Sequence, residues 1–410
     1  MEETITNNQI IDIERSVLPM VNVHAKAQLD QMQWPTTRDE EWKYTRTGRI
    51  TKESWMVSPI QSNAPWQSLQ IENLDVYTIV LINGQFHSQA STLPAAAGIT
   101  IDTIAPQKHI ATSFGHFFEA LQAAYCTSHL RIVLADKVQM DRPIHFIHFN
   151  DGQKVLSQPT LTIEVGAFAK ASFIESFGSN STEQSFGNRK LNIHVGENAH
   201  VTFDKIQDLH DSDFLMNDDQ VHIAKSAQFT INTLTIDGGW TRNQLHISLD
   251  GENIEASLNG CYLPRRNQLV DNHTKVDHRF AHCNSHELYK GLLNDRSTGV
   301  FNGKVHVHLD AQKTNAYQQN ANILLSDEAQ MNSKPELEIY ADDVKCSHGS
   351  TTGQLDDEAM FYLQSRGLSP DNARRLLTTA FINDVLNHVE NEAVRAHVIQ
   401  RLEQEGLLYH

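Results

Sequence analysis

The chain has 410 residues, 40% hydrophobic and 20% charged, which is ordinary globular composition and excludes a disordered or collagen-like polypeptide. Thirty-three Lys and Arg against 50 Asp and Glu leave a formal net charge of −17, and no basic run supplies the positive footprint that nucleic acid requires. No apolar stretch reaches the roughly 20 residues that cross a bilayer, and the first residues carry neither a positive n-region nor an apolar h-region. Cys126, Cys261, Cys283 and Cys346 lie far apart and form no CxxC pair, so a reducing, cytoplasmic setting is expected.

The first elements read as helical. Val21, Ala25, Leu29 and Met32 recur at helical spacing, and Pro35 ends the run. Asp39-Glu40-Glu41-Trp42-Lys43-Tyr44 mixes charge with aromatics, which suits a helix that packs an aromatic edge on a neighbour. Ser58 to Pro65 reads as loop. Ser113 to Tyr125 predicts a second helix, with Ser113 as N-cap and Phe114, Phe117, Phe118, Leu121 and Ala124 on one broad face.

From about residue 130 the period falls to two. Leu161-Thr162-Ile163-Glu164-Val165 alternates apolar with polar, and Gly166 follows. Leu191 to Val195 repeats the pattern before Gly196, and Val221 to Ile223 repeats it before Ala224-Lys225-Ser226. Leu161, Leu191 and Val221 are 30 residues apart in turn, and each unit runs into a second alternating strand. A displaced fourth copy begins at Leu245. Such a repeat marks a solenoid, in which each unit buries its apolar face on the next. The short turns would equally close antiparallel hairpins of a sandwich. Further strands are expected over 301–309 and 337–340.

The last sixty residues return to helix. Asp356 or Asp357 can cap a helix that Gly367 ends, and Ser369-Pro370 opens another. A third segment carries Val394, Val398 and Leu402. These stripes pack on one another or on the core, or dock a partner.

Several chemistries are excluded by motif. There is no GxxxxGK[ST] phosphate loop, hence no ATP site of that type, and no GxGxxG or GxSxG. His286-Glu287-Leu288-Tyr289-Lys290 starts like a zincin motif but ends in Lys. His278, His282 and His286 would share one face of a single strand, yet the outer two would then stand roughly 26 Å apart, too far for one metal. Cys346-Ser347-His348 is the remaining constellation. Thiol and imidazole at i and i+2 point the same way on a strand and can share a soft metal or flank a cluster. Lys345 would favour the thiolate, and Gly349 would let the backbone turn out of the sheet.

That pair sits in a longer signature. Lys334 through Thr351, with Leu269–Thr274, Cys283–Ser285, Val300–Gly303, Asn322–Ser326 and Phe361–Gly367, strongly resembles the SufB/SufD family of iron–sulfur cluster assembly proteins. The likeness is dense over about residues 265–385. The Lys-Cys-Ser-His-Gly form and the length resemble the shorter of the two paralogues rather than SufB. The resemblance implies a right-handed parallel β-helix core, here 127–350, between an α-rich N-terminal domain (1–126) and a helical C-terminal domain (351–410). It implies a non-catalytic scaffold subunit that pairs with a SufB paralogue, docks the ABC-type ATPase SufC through its C-terminal helices, and can form a homodimer when isolated. It places His348, and beside it Cys346, where iron or a nascent iron–sulfur cluster is held between subunits. The rival readings are a β-helix carbohydrate-active enzyme, using carboxylates such as Asp271 and Asp277 with Arg279, and a self-pairing SufB-like scaffold.

Overall fold

The computed structural model describes residues 21–60, 63–94, 97–105, 114–180 and 184–408. Its helices are α1 (Val23–Leu29), α2 (Gly48–Thr51), α3 (Phe117–Ala124), α4 (Asp357–Ser365), α5 (Pro370–Leu386) and α6 (Glu392–Gln404). Between them the chain winds into a two-sheet parallel solenoid. One sheet has ten strands and runs from Gln85–Phe86 and Tyr77–Ile82 to Lys345–Gly353. The facing sheet has a nine-strand path from Ile99–Ile104 to Gln330–Ile339. Successive coils pair in parallel, as Lys170 with His200 and His200 with Gln228, so the hairpin sandwich is excluded. Antiparallel pairing is confined, among the described residues, to the first part of the solenoid, where Leu81 pairs with Phe86, Thr78 with Thr92 and Ile99 with Leu134.

Alternation explains the core. Leu161, Ile163 and Val165 point inward and stack on Leu191, Ile193 and Val195 of the next coil, all buried. The third repeat is offset from the 30-residue spacing. Val221 pairs with Ile193, not Leu191, so that coil is 28 residues long. A slip of two keeps every side chain on its own face, which is why alternation alone could not detect it.

The turns stack as the strands do. Phe168, Asn198, Ser226, Asn253, His282 and Lys313 occupy one turn position in successive coils, all with φ between 55° and 62°. Most give their N–H to a carbonyl of the next coil's turn, as Phe168 to Glu197 at 2.8 Å and His282 to Gln312 at 2.9 Å. His282 therefore lies in a turn, with His278 and His286 on strands of opposite sheets. The three imidazoles do not share a face.

Both outer faces are covered in part. On the nine-strand sheet, α1, α3, Trp42 and Trp55 pack on Phe186, Phe214, Met216 and Trp240. Trp42 lies in a short 3₁₀ turn, Glu40–Trp42, stacks on Phe118 at 5.2 Å and carries the Arg242 guanidinium on its ring at 3.9 Å. The N-cap of α3 is His116, whose Nδ1 accepts from Glu119 N; Ser113, expected there, lies outside the described residues. On the ten-strand sheet, α5 and α6 bury Ile382, Val385, Val394, Val398 and Leu402 against Ile206, Leu234, Ile236 and Leu292. The C-terminal caps fall where the sequence places them. Asp356 caps α4, Ser369 caps α5 with Pro370 at its start, and Gly367 takes φ +97° between them. Among the described residues no helix is long and apolar enough to cross a membrane.

Candidate functional site

The last coil sets the geometry of the Cys346–His348 segment. Among the described residues the backbone of Lys345–Gly353 pairs only with Asn315–Leu324, and that of Gln330–Ile339 only with Thr298–Val307. Each therefore presents one unpaired backbone edge. Pro335, which has no N–H to give, sits within that outer strand, where it costs least. No helix or further coil covers this end among the described residues, and Ile339 and Tyr340 are exposed there.

Cys346 and His348 stand on the same side of the end strand, the side that faces the solenoid interior. Cys346 is half-buried against Val305, Val307, Ala316 and Ala341. Burial pushes its thiol up, with the Ala316 backbone opposing, so the thiolate is disfavoured in the lone chain. Lys345 does not reverse this, because adjacent strand residues point to opposite faces. His348 is exposed and its ring has no hydrogen-bond partner among the described residues. The strand runs straight on through Gly349 to Gly353, so the expected turn at Gly349 is absent.

The interior beneath these residues is polar, which sequence patterning missed. Gln318 is the register partner of His348, and Glu287 that of Gln318. Gln318 donates Nε2–H to Glu287 Oε2 at 2.8 Å, while its own Oε1 is buried without a partner. Burial pushes the Glu287 carboxyl up to about 7, opposed by the Thr274 and Gln318 side chains. A second chain reaches the end strand on the same side. Tyr262 Oη donates to Asn322 Oδ1 at 2.5 Å, Asn322 to Asn320 at 2.7 Å, Ser333 to Asn320 at 3.0 Å, and Ser350 to Ser333 at 2.7 Å. A signal did exist: from Asn315 to Asn322 the inward positions are Ala316, Gln318, Asn320 and Asn322, with no large apolar side chain.

Farther along the rod, charge is sealed inside. Arg189 bridges Glu175, at 2.5 Å, and Asp219, and Lys205 also binds Asp219. Burial disfavours the Glu175 carboxylate, but Arg189 and His148 outweigh it and hold it down to about 2. The carboxylates a carbohydrate-active enzyme would need are engaged elsewhere. Asp271 is buried and bonded to Arg242 and to Thr45 Oγ1, and Asp277 is bonded to His246 at 2.7 Å. His278 is buried and bonded to Ser285 at 2.8 Å.

Comparison with known proteins agrees with this architecture. The family described as SUF system FeS cluster assembly, SufBD core domain, matches residues 148–381. The chain is 29% identical to the iron-sulfur cluster assembly protein SufD of Escherichia coli K12, over 90% of this chain and 89% of that protein. It is 28% identical to the SufBD family protein slr0076 of Synechocystis, over 94% of this chain and 91% of the other. The chloroplastic protein ABCI7 of Arabidopsis thaliana is 24% identical over 88% of this chain and 80% of its own length. A match across more than half the chain, on a parallel solenoid with terminal helices, shows that this polypeptide belongs to the SufBD family of SUF-system iron–sulfur cluster assembly proteins.

Proposed function

We propose that the chain is a non-catalytic scaffold subunit that pairs with a SufB paralogue through the open end of its solenoid, docks the SufC ATPase through its C-terminal helices, and offers His348 and Cys346 to iron or a nascent cluster at the joint. The observation that carries this reading is the end coil itself. Two strands leave their outer backbone edges free, and such edges are templates for another chain. The same coil presents a thiol and an imidazole side by side, a donor pair suited to iron and iron–sulfur ligation. His348 is the readier ligand, being exposed. Cys346 becomes one when approaching iron offsets the cost of ionising its half-buried thiol.

Helix α4 supports the ATPase contact. None of its residues is buried, and Phe361 and Tyr362 are 75% and 56% exposed, an aromatic pair that folding of this chain leaves uncovered. The polypeptide lacks a phosphate loop, so nucleotide is hydrolysed on the docked subunit.

Co-expression with SufB and SufC, followed by mass measurement of the purified species, tests the assembly. A stable complex of all three chains is expected. A chain that co-purifies with neither and self-associates through the same coil would replace this reading with the self-pairing scaffold.

A further inference from the structure

A second cluster of donor groups lies on the outer face of the nine-strand sheet, away from the inward-facing Cys346 and His348. Asp277 and His306 are register partners on neighbouring strands, and His308 follows His306 by two residues, so all three project outward at one corner of the rod. The two imidazole rings lie 4.2 Å apart. One ligand atom from each of Asp277, His306 and His308 falls within 4.8 Å of the others. The carboxylate is divided in its use. Its Oδ2 takes His246 Nε2 at 2.7 Å and Lys275 Nζ at 3.0 Å, while Oδ1 faces His306 Nδ1 at 3.3 Å.

That last separation is long for a charge-assisted hydrogen bond, which settles near 2.7–2.9 Å. It matches the donor-to-donor edge of a tetrahedral site, roughly 3.4 Å for metal bonds of about 2.0–2.1 Å. His246 acts on the carboxylate as an outer-shell partner does in metal sites, by holding one oxygen so that the other is aimed. Two cations oppose a metal here, and both sit on the Oδ2 side. Lys275 and Arg279 are about 40% exposed, and Arg279 is committed to Asp250 at 2.8 Å, reaching Asp277 only at 3.8 Å. They would penalise a hard ion held by charge alone. Two imidazoles and one carboxylate instead suit a borderline transition ion, with water in the fourth position.

We propose that Asp277, His306 and His308 form a binding site for a divalent first-row transition ion, separate from the end-strand pair and independent of the scaffold reading above. Without the ion, the same groups rest as a hydrogen-bonded surface ladder, which is the state the contacts describe.

The test uses the full chain, stripped with a chelator and titrated with Co(II) as probe, while visible ligand-field absorption and calorimetry are recorded. Cys346→Ala/His348→Ala is the background, so that the other donor pair contributes nothing. One equivalent of Co(II) with a tetrahedral or five-coordinate band is expected. Adding His306→Ala or His308→Ala should weaken binding at least tenfold with the unfolding midpoint held, since both side chains are partly exposed. His246→Ala should weaken it less, by misaiming the carboxylate. Absence of Co(II) binding in the background variant, or binding indifferent to both His306→Ala and His308→Ala, overturns the site and leaves the surface ladder as the whole explanation.

Discussion

Gln318 donates to the buried Glu287 carboxyl at 2.8 Å and stands opposite His348 in the adjoining strand. One amide thus bonds an acid inside the rod and shares its register position with the imidazole at the open end. The acid is the unusual member, because burial raises its proton affinity from about 4.5 to about 7. The fold therefore prefers the neutral form. An unfolded chain releases the proton near pH 4.5, whereas the folded chain keeps it until about 7. The stability this group supplies is fully present below about pH 4.5 and is lost as pH rises to about 7, a change of about 3 kcal/mol. Glu287→Gln keeps the shape without the titration. The variant should gain on the native protein across that window and be the more stable at pH 8. Denaturant unfolding at pH 5 and pH 8 reads the difference directly, and parallel behaviour of the two proteins would show that Glu287 is not titrating in the fold.

The ionic knot inside the rod yields the opposite expectation. Asp219 alone faces both Arg189 and Lys205, and all three side chains are sealed from solvent. Asp219→Asn leaves two buried cations with one carboxylate, Glu175, between them, and should cost about 3–5 kcal/mol. Asp219→Asn/Lys205→Met, which also removes one cation, should recover part of that loss. Equilibrium unfolding of the three proteins checks this, and a loss below 1 kcal/mol for the single variant would mean that water reaches the cluster.

Turn stacking can be tested with two glycines. A Cβ on Gly196 would lie 2.7 Å from the Gly166 carbonyl carbon and from Val165 O, both backbone atoms that cannot step aside. Gly196→Ala should cost about 1–3 kcal/mol by forcing neighbouring coils apart. Gly349→Ala meets nothing within 4 Å and should be neutral. Thermal unfolding compares them, and equal midpoints would contradict the close coil contact at residue 196.

Phe361 and Tyr362 separate docking from folding. Both are exposed on α4, so Phe361→Ser/Tyr362→Ser should leave the unfolding midpoint of the isolated chain in place. If α4 is the ATPase contact, affinity for SufC should fall at least tenfold, since aromatic anchors dominate such interfaces. Calorimetric titration with SufC measures it, and an unaltered Kd would move the contact elsewhere.

Sequence patterning reached repeated strands because inward Leu, Ile and Val on alternate positions leave a period-two trace, but it left solenoid and hairpin sandwich open, and the family signature was what implied the parallel solenoid. It could not set register, since Val221 aligns equally well with Leu191 or Ile193 when only alternation is read. It misjudged His278, His282 and His286 because the turn between them contains no glycine. His282 itself takes φ 62°, a conformation that a scan for Gly and Asn overlooks. The caps at Asp356, Ser369 and Gly367 were legible, being local chemistry. The inward polar groups Gln318, Glu287 and Arg189 were not, because a polar residue on a strand reads as solvent-facing until pairing fixes which face is inside. Cys346 and His348 were visible as a pair. Their place on an unpaired end strand depends on where stacking stops, which no local pattern records.

The most direct test of the scaffold account is the iron and sulfide retained by the complex with SufB and SufC when this chain carries His348→Ala, with Gly349→Ala as the matched surface control and both in a His306→Ala background. The account predicts that both variant complexes assemble with all three chains, that the Gly349→Ala complex keeps its iron, and that the His348→Ala complex loses most of it. An assembled His348→Ala complex with iron and sulfide equal to the control would contradict the account, because the exposed imidazole it names as the readier ligand would then hold nothing.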